Sequence, residues 1–270
     1  MTRIKTVFKR LKNQKRNAFI SFITAGDPDY DTSLKILKKL PENGVDIIEL
    51  GIPFLDPAGD GPIIEAASKR AIDNGMNLQK VLQMVIEFRK DNQTTPIILM
   101  GYYNPILHYG LKEFAKVAKD SGVDGLLIVD LPPEEDKGLK EETNKVGLDL
   151  IKLITPTSDE SRIKKIAASA SGFLYFVSIL GITGTKSSKF EDNKKNIAKI
   201  KQFSDLPVVI GFGIKEPSQA KEMSQVGADA IVVGSSLVSI IAKNIEESKD
   251  KNQIIDSLLS KAKEFGDSVR

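Results

Sequence analysis

Eight runs rich in Ile, Val, Leu and Phe recur along the chain, at 18–24, 45–50, 96–101, 124–129, 148–154, 172–178, 207–212 and 228–233. Each is bounded by Gly, Pro, Asp or Asn. Near-continuous apolar runs of this kind suit strands covered on both faces, as in a parallel sheet. Polar, amphipathic stretches such as Ser33–Leu40 and Ser218–Val226 separate them and are long enough for crossover helices. Eight unbroken alternations favour a closed (β/α)8 TIM barrel, an α/β fold, over an open doubly wound sheet. The interval between the runs at 45–50 and 96–101 is the longest and predicts extra helical structure there.

The start of the chain has its own pattern. Residues 1–17 hold seven Lys or Arg and no acid, with Ile4, Phe8 and Leu11 at helical spacing. A transit peptide can share that pattern. This segment, however, is Lys-rich, lacks Ser and runs straight into the first apolar run. It reads as an extra N-terminal helix whose apolar face covers the bottom of the barrel. The 270 residues are close to the length of a (β/α)8 domain, typically about 250. Two smaller domains would also fit that length. No repeat, low-complexity tract or Pro/Gly/Ser-rich linker divides the chain, so one domain over 1–270 is expected.

Composition narrows the chemistry. The net charge of +3 comes from 39 basic and 36 acidic residues scattered along the chain, which argues against a nucleic-acid ligand. With no cysteine, a disulfide scaffold and thiolate catalysis are excluded, and a reducing cytoplasm is the expected setting. The single histidine, His108, rules out a His-rich zinc site. No apolar stretch is long enough to predict a membrane span.

A barrel of this type carries its chemistry in the loops after the C-terminal strand ends, with phosphate held after strands seven and eight. Strand seven ends in Gly211-Phe212-Gly213-Ile214, and strand eight leads into Gly234-Ser235-Ser236-Leu237 at a helix start. Glycines allow close backbone approach, and free N–H groups at a helix start favour an anion. Plain turns are the alternative. After strand six, the polar run Gly181–Ser188 reads as a flexible lid over the substrate or as an ordinary surface loop.

Carboxylates gather at strand two. Alternation places Val45, Ile47 and Glu49 on one face and Asp46, Ile48 and Leu50 on the other. Asp46, at the strand start, is unremarkable. Glu49, at the end of an apolar run, should be desolvated and its pKa raised, which suits an acid near neutral pH. Pairing with a nearby Lys or Arg is the alternative. The following loop, Ile52–Pro62, adds Asp56 and Asp60. Asp60 stands just before a helix start, so it is either functional or a capping residue.

Together these segments resemble the alpha chain of tryptophan synthase, an indole-3-glycerol-phosphate lyase. The resemblance is carried in order by Phe22–Pro28, Glu49–Pro62, Met100–Leu107, Asp130–Glu135, Ser178–Gly184, Gly211–Ile214 and Gly234–Val238. It implies retro-aldol cleavage of indole-3-glycerol phosphate to indole and glyceraldehyde 3-phosphate, within tryptophan biosynthesis. It also implies that Glu49 and Asp60 are catalytic, and that Phe22, Leu127 and Tyr175 line the indole pocket. Thr183 would tie the closed lid to Asp60, and Gly184, Phe212, Gly213, Gly234 and Ser235 would surround the phosphate end. Pro53 and Asp56 would face a beta chain in an alpha2-beta2 heterotetramer. That partner would hold the pyridoxal phosphate (PLP), this chain having no cofactor of its own.

The match has gaps. Leu55 stands where the family usually has Ser, Ala58-Gly59 where it has Leu-Ala, and Ile63 and Glu65 where it has Thr and Gln. All lie around Asp60. Gly59 in place of Ala loosens the loop, so the expectation is a retained reaction that is slower without the partner. Three other readings compete. A Schiff-base aldolase would use Lys152, another phosphosugar barrel enzyme is possible on fold alone, and a non-catalytic barrel could regulate a pyridoxal-phosphate partner.

Overall fold

The structure, a computed structural model, describes residues 2–178, 186–211 and 213–270. Eight strands lie where the apolar runs predict them. They are β1 (Ala18–Thr24), β2 (Ile47–Gly51), β3 (Ile97–Gly101), β4 (Gly125–Ile128), β5 (Asp149–Ile154), β6 (Leu174–Val177), β7 (Val208–Gly211) and β8 (Ala230–Val233). All neighbours pair in parallel, and β8 returns to β1 to close the barrel. The long interval after β2 holds two helices, Pro62–Asp73 and Leu78–Arg89, as expected. No helix among the described residues is long and apolar enough to cross a membrane.

Period-2 alternation sorts the strand side chains into two cores. Ile20, Ile47, Ile98, Leu127, Ile151, Tyr175, Val209 and Val232 fill the barrel interior. Their neighbours Phe19, Ile48, Ile97, Leu126, Leu150, Phe176, Val208 and Ile231 pack outward against the helices. Val45 departs from the expected alternation: β2 begins only at Ile47, so Val45 lies before the pleat and joins the outer core.

The N-terminal helix Arg3–Asn13 closes the bottom. The Thr2 hydroxyl caps it by accepting from Lys5 N, and Ile4, Val7, Phe8 and Leu11 form its buried stripe. These four belong to the interior core, where Phe8 meets Phe173 edge-on at 5.9 Å. Burial of each such large side chain stabilises by about 1.5–3 kcal/mol.

Acids at the lower strand ends share one structural task. Asp46 accepts from Phe19 N at 3.0 Å, Asp124 from Ile97 N at 2.8 Å and Asp229 from Val208 N at 2.8 Å. Each carboxylate therefore ties its own strand to the preceding one. Cations then neutralise them: Arg16 on Asp46, Arg89 and Arg3 on Asp124, and Lys201 on Asp229. Asp46 thus serves structure, tying the start of β2 to β1.

Candidate active site

At the opposite, C-terminal end of the strands, a cavity of about 280 Å³ opens into the barrel mouth. Phe22 from β1, Glu49 from β2, Met100 from β3 and Tyr175 from β6 reach it from the interior. Gly59, Asp60 and the helix start at Pro62 bound it on one side, and Gly213, Gly234 and Ser235 on another.

Glu49 is fully buried. In the ladder it stands between Phe22 of β1 and Ile98 of β3. Neither carboxyl oxygen has a hydrogen-bond partner among the described residues. Burial alone pushes its pKa up to about 8, so the group is chiefly a neutral acid at pH 7. The expected alternative, pairing with a Lys or Arg, is not what the structure shows. An unpaired polar group in a packed interior costs stability and calls for a functional explanation.

Asp60 sits in different surroundings. It is half-buried, and desolvation raises its pKa. A hydrogen bond with the Tyr102 hydroxyl opposes that rise, while the Glu65 charge adds to it. It does not cap the next helix: Gly61 holds the N-cap position, with no side-chain cap, and Pro62 opens the helix. That helix is itself anchored, because Arg70 grips Asp27, in the loop after β1, through two bonds of 2.8 and 2.9 Å. The segment Phe22–Pro28 therefore contributes both a cavity wall and a brace for the Asp60 side.

The phosphate-type end has the predicted local geometry. Gly213 has φ +76°, in the left-handed region that favours glycine. Gly234 precedes the helix Ser235–Glu246, where Leu237 N already donates to Gly234 O while the Ser235 and Ser236 N–H groups have no intrahelical acceptor and stand at the positive end of the helix dipole. A β-carbon on Gly234 would press on the Phe22 Cβ at 3.2 Å, so glycine here also makes room for that side chain.

Not every expected residue stands on the cavity wall. Leu127 is buried one step aside, paired across the ladder with Met100, and it is Met100 that reaches the cavity wall. Pro53 is buried in the loop after β2, whereas Asp56 is exposed. Of the expected lid, residues from Lys186 onward belong to the helix Lys186–Lys201. Thr183, Gly184 and Phe212 lie outside the described residues.

Lys152 is not placed for a Schiff base. Its neighbours Leu150 and Ile154 belong to the outer core, and its Nζ pairs with Asp136 at 2.7 Å and donates to Leu131 O at 3.2 Å. Among the described residues no group of three or more His, Cys, Asp or Glu is arranged to hold a metal ion. Met100 and Tyr102 were missed by sequence reasoning. Both lie within the quoted segment Met100–Leu107, at the C-terminal end of β3, where barrel chemistry is expected.

The family model for the tryptophan synthase alpha chain matches residues 8–270. A solved structure from Aquifex aeolicus VF5 is 38% identical, with a TM-score of 0.89 and full coverage of both chains. Tryptophan synthase subunit alpha from Legionella pneumophila is 37% identical, covering 100% of this chain and 98% of that one, also at 0.89. A chain of the aminoacrylate-bound tryptophan synthase from M. tuberculosis is 29% identical over the whole of both chains, at 0.87. With the mouth cavity, its two unlike carboxyls and a match that runs almost end to end, this chain belongs to the tryptophan synthase alpha chain family.

Proposed function

We propose that the mouth cavity binds indole-3-glycerol phosphate and that Glu49 and Asp60 carry its cleavage. The family is a lyase that splits this substrate by retro-aldol chemistry in tryptophan biosynthesis, and it works with a beta chain. The observation that carries the residue assignment is the contrast between two carboxyls at one cavity. Glu49 is buried, unpaired and raised to about 8, while Asp60 is half-exposed and hydrogen-bonded. Such divergence of environment separates an acid from a charged partner.

In this reading the indole lies among Phe22, Met100 and Tyr175, with the phosphate toward Gly213, Gly234 and Ser235. Indole is a poor carbanion leaving group, so neutral Glu49 first donates its proton to ring C3. The positive charge that develops at the ring nitrogen is stabilised by the Asp60 carboxylate. The side-chain hydroxyl next to C3 then loses its proton to the Glu49 carboxylate. Its oxygen becomes the aldehyde carbonyl, and the C–C bond electrons return to the ring. Indole and glyceraldehyde 3-phosphate leave, and Glu49 is again protonated. The cycle balances on the chain's own two carboxyls. The pyridoxal phosphate belongs to the beta partner, which receives the indole.

We read the assembly as alpha2-beta2 and the setting as cytoplasmic. In support of the contact surface, Leu55 and Leu107 are 66% and 52% exposed, in the segments that follow β2 and β3. Leu55 and Asp56 share a loop with Asp60, which gives a partner a direct route to the reacting carboxylate. The test is indole release from indole-3-glycerol phosphate by the purified chain, with and without a beta chain. Slow release alone and strong stimulation by the partner are expected. No indole under either condition overturns the proposal in favour of a non-catalytic regulatory barrel.

A further inference from the structure

We infer that Tyr102 is a positioning residue that holds the Asp60 loop and aims its carboxylate through a single phenolic hydroxyl. The inference rests on Asp60 being a reacting group. Within the segment 53–61, the bonds of Ala58 N to Asp56 O and Asp60 N to Pro57 O are local, spanning two and three residues. Gly61 O accepts from Ile64 N and Glu65 N of the helix that follows, and across to β3 the segment is tied by Gly59 N donating to the Tyr102 oxygen at 3.0 Å. The Asp60 carboxyl, next along the loop, feels the same hydroxyl, which lowers its pKa against the rise that desolvation causes. A phenol can do both at once, accepting from the amide and donating to the carboxylate.

Tyr102 is well built for this. It is 5% exposed, follows β3 directly and occupies the N-cap position of the helix Tyr103–Tyr109. Asp130, after β4, accepts from Tyr103 N at 2.8 Å and fixes the adjoining backbone. The Tyr102 ring stacks on Phe54 of the same loop, with centroids 5.3 Å apart and planes at 29°. Burial, chiefly, pushes its phenol up to about 12, so it remains a donor throughout the working range. The charged groups bearing on the pair are Glu65, which opposes ionisation of Asp60, and Asp130, which opposes that of Tyr102. Gly59 supplies no side chain to steady the loop, so the hydroxyl carries more of the positioning than it would beside a stiffer residue.

The experiment follows the carboxyl itself. Carbon-13 NMR of labelled aspartate gives the Asp60 titration in the intact chain and in Tyr102→Phe, which keeps the ring and its stacking on Phe54. The Asp60 midpoint is expected to move to higher pH, because a donor to the charged form is removed. Indole turnover should fall by roughly tenfold, with a smaller change in KM. An unmoved midpoint overturns the inference, whatever happens to turnover. Should Tyr102→Phe fold poorly, 3-fluorotyrosine at position 102 keeps the packing and is a stronger donor; the midpoint must then move down, and no movement again overturns it. Failure of the underlying reading looks different: Asp60→Asn would retain full turnover even though the Tyr102→Phe midpoint shifts.

Discussion

The phenolic oxygen of Tyr175 fills the space into which a β-carbon on Gly211 would project. The ring atoms Cζ and Cε1 lie 2.8 and 3.0 Å from the same point. The two residues sit on adjacent strands, with Val177 opposite Gly211 and Tyr175 two residues before it. Glycine at 211 thus sets where the Tyr175 ring stands in the cavity.

Gly211→Ala should therefore push the Tyr175 ring into the substrate space and lower kcat/KM by roughly tenfold or more. Tyr175→Leu vacates that space, so the double variant should outperform Gly211→Ala alone. A double-mutant cycle on kcat/KM should show a coupling of about 0.5–3 kcal/mol. Simple additivity would show that the overlap does not govern the ring.

Glu49 makes stability depend on pH. Folding raises its pKa from 4.5 to about 8, so the folded chain binds this proton more tightly than the unfolded one. The contribution is therefore fully favourable below 4.5 and is lost as pH climbs to about 8. The loss is on the order of a few kcal/mol. Glu49→Gln removes it and should also reduce turnover by a factor of roughly 10² to 10⁴. Melting curves should show the Tm advantage of Glu49→Gln growing between about pH 5 and about pH 8.5. A constant difference would argue against a buried, unpaired carboxyl.

Gly59 is a site for stabilisation. Its backbone lies outside the left-handed region, and an added β-carbon would meet Tyr102 Oη at 3.4 Å and Val129 Cγ2 at 3.9 Å, both ordinary contacts. Gly59→Ala should stabilise by about 0.4–1 kcal/mol through the unfolded chain. Tm should rise by about 1–4 °C. Combined with Leu55→Ser and Ala58→Leu, it should raise turnover of the chain alone. Unchanged turnover in that triple variant would mean the altered loop does not limit the reaction.

The exposed apolar side chains near the mouth should matter only in the assembly. Leu107→Glu is expected to leave indole release by the isolated chain unchanged while weakening the beta-chain complex by about tenfold or more, or about 1.4 kcal/mol. Titration calorimetry reads the affinity directly. Undiminished affinity would place the partner on another face.

The local pattern of this sequence determined much of the fold. Eight apolar runs mark all eight strands to within one or two residues at most ends, because burial on both faces demands continuous apolar character. The stripe Ile4, Phe8 and Leu11 marks a helix that must cover something, since its apolar face is useless in water. Glu49 stood out for the same reason, as a carboxylate inside an apolar run. What the pattern does not encode is the stagger of neighbouring strands. Only the register of paired strands in the assembled barrel decided that Met100 rather than Leu127 reaches the cavity, and that Tyr175 overlies Gly211. Only the pairing of β2 with β3 brought Tyr102, at the end of β3, against Gly59 and Asp60 in the loop after β2. Asp46, three residues before Glu49, is an acid on the same strand run, yet it lies at the lower end among arginines and serves structure. The two acids differ in role because solvation and partners belong to positions in space, and sequence alone fixes only the side chains delivered there.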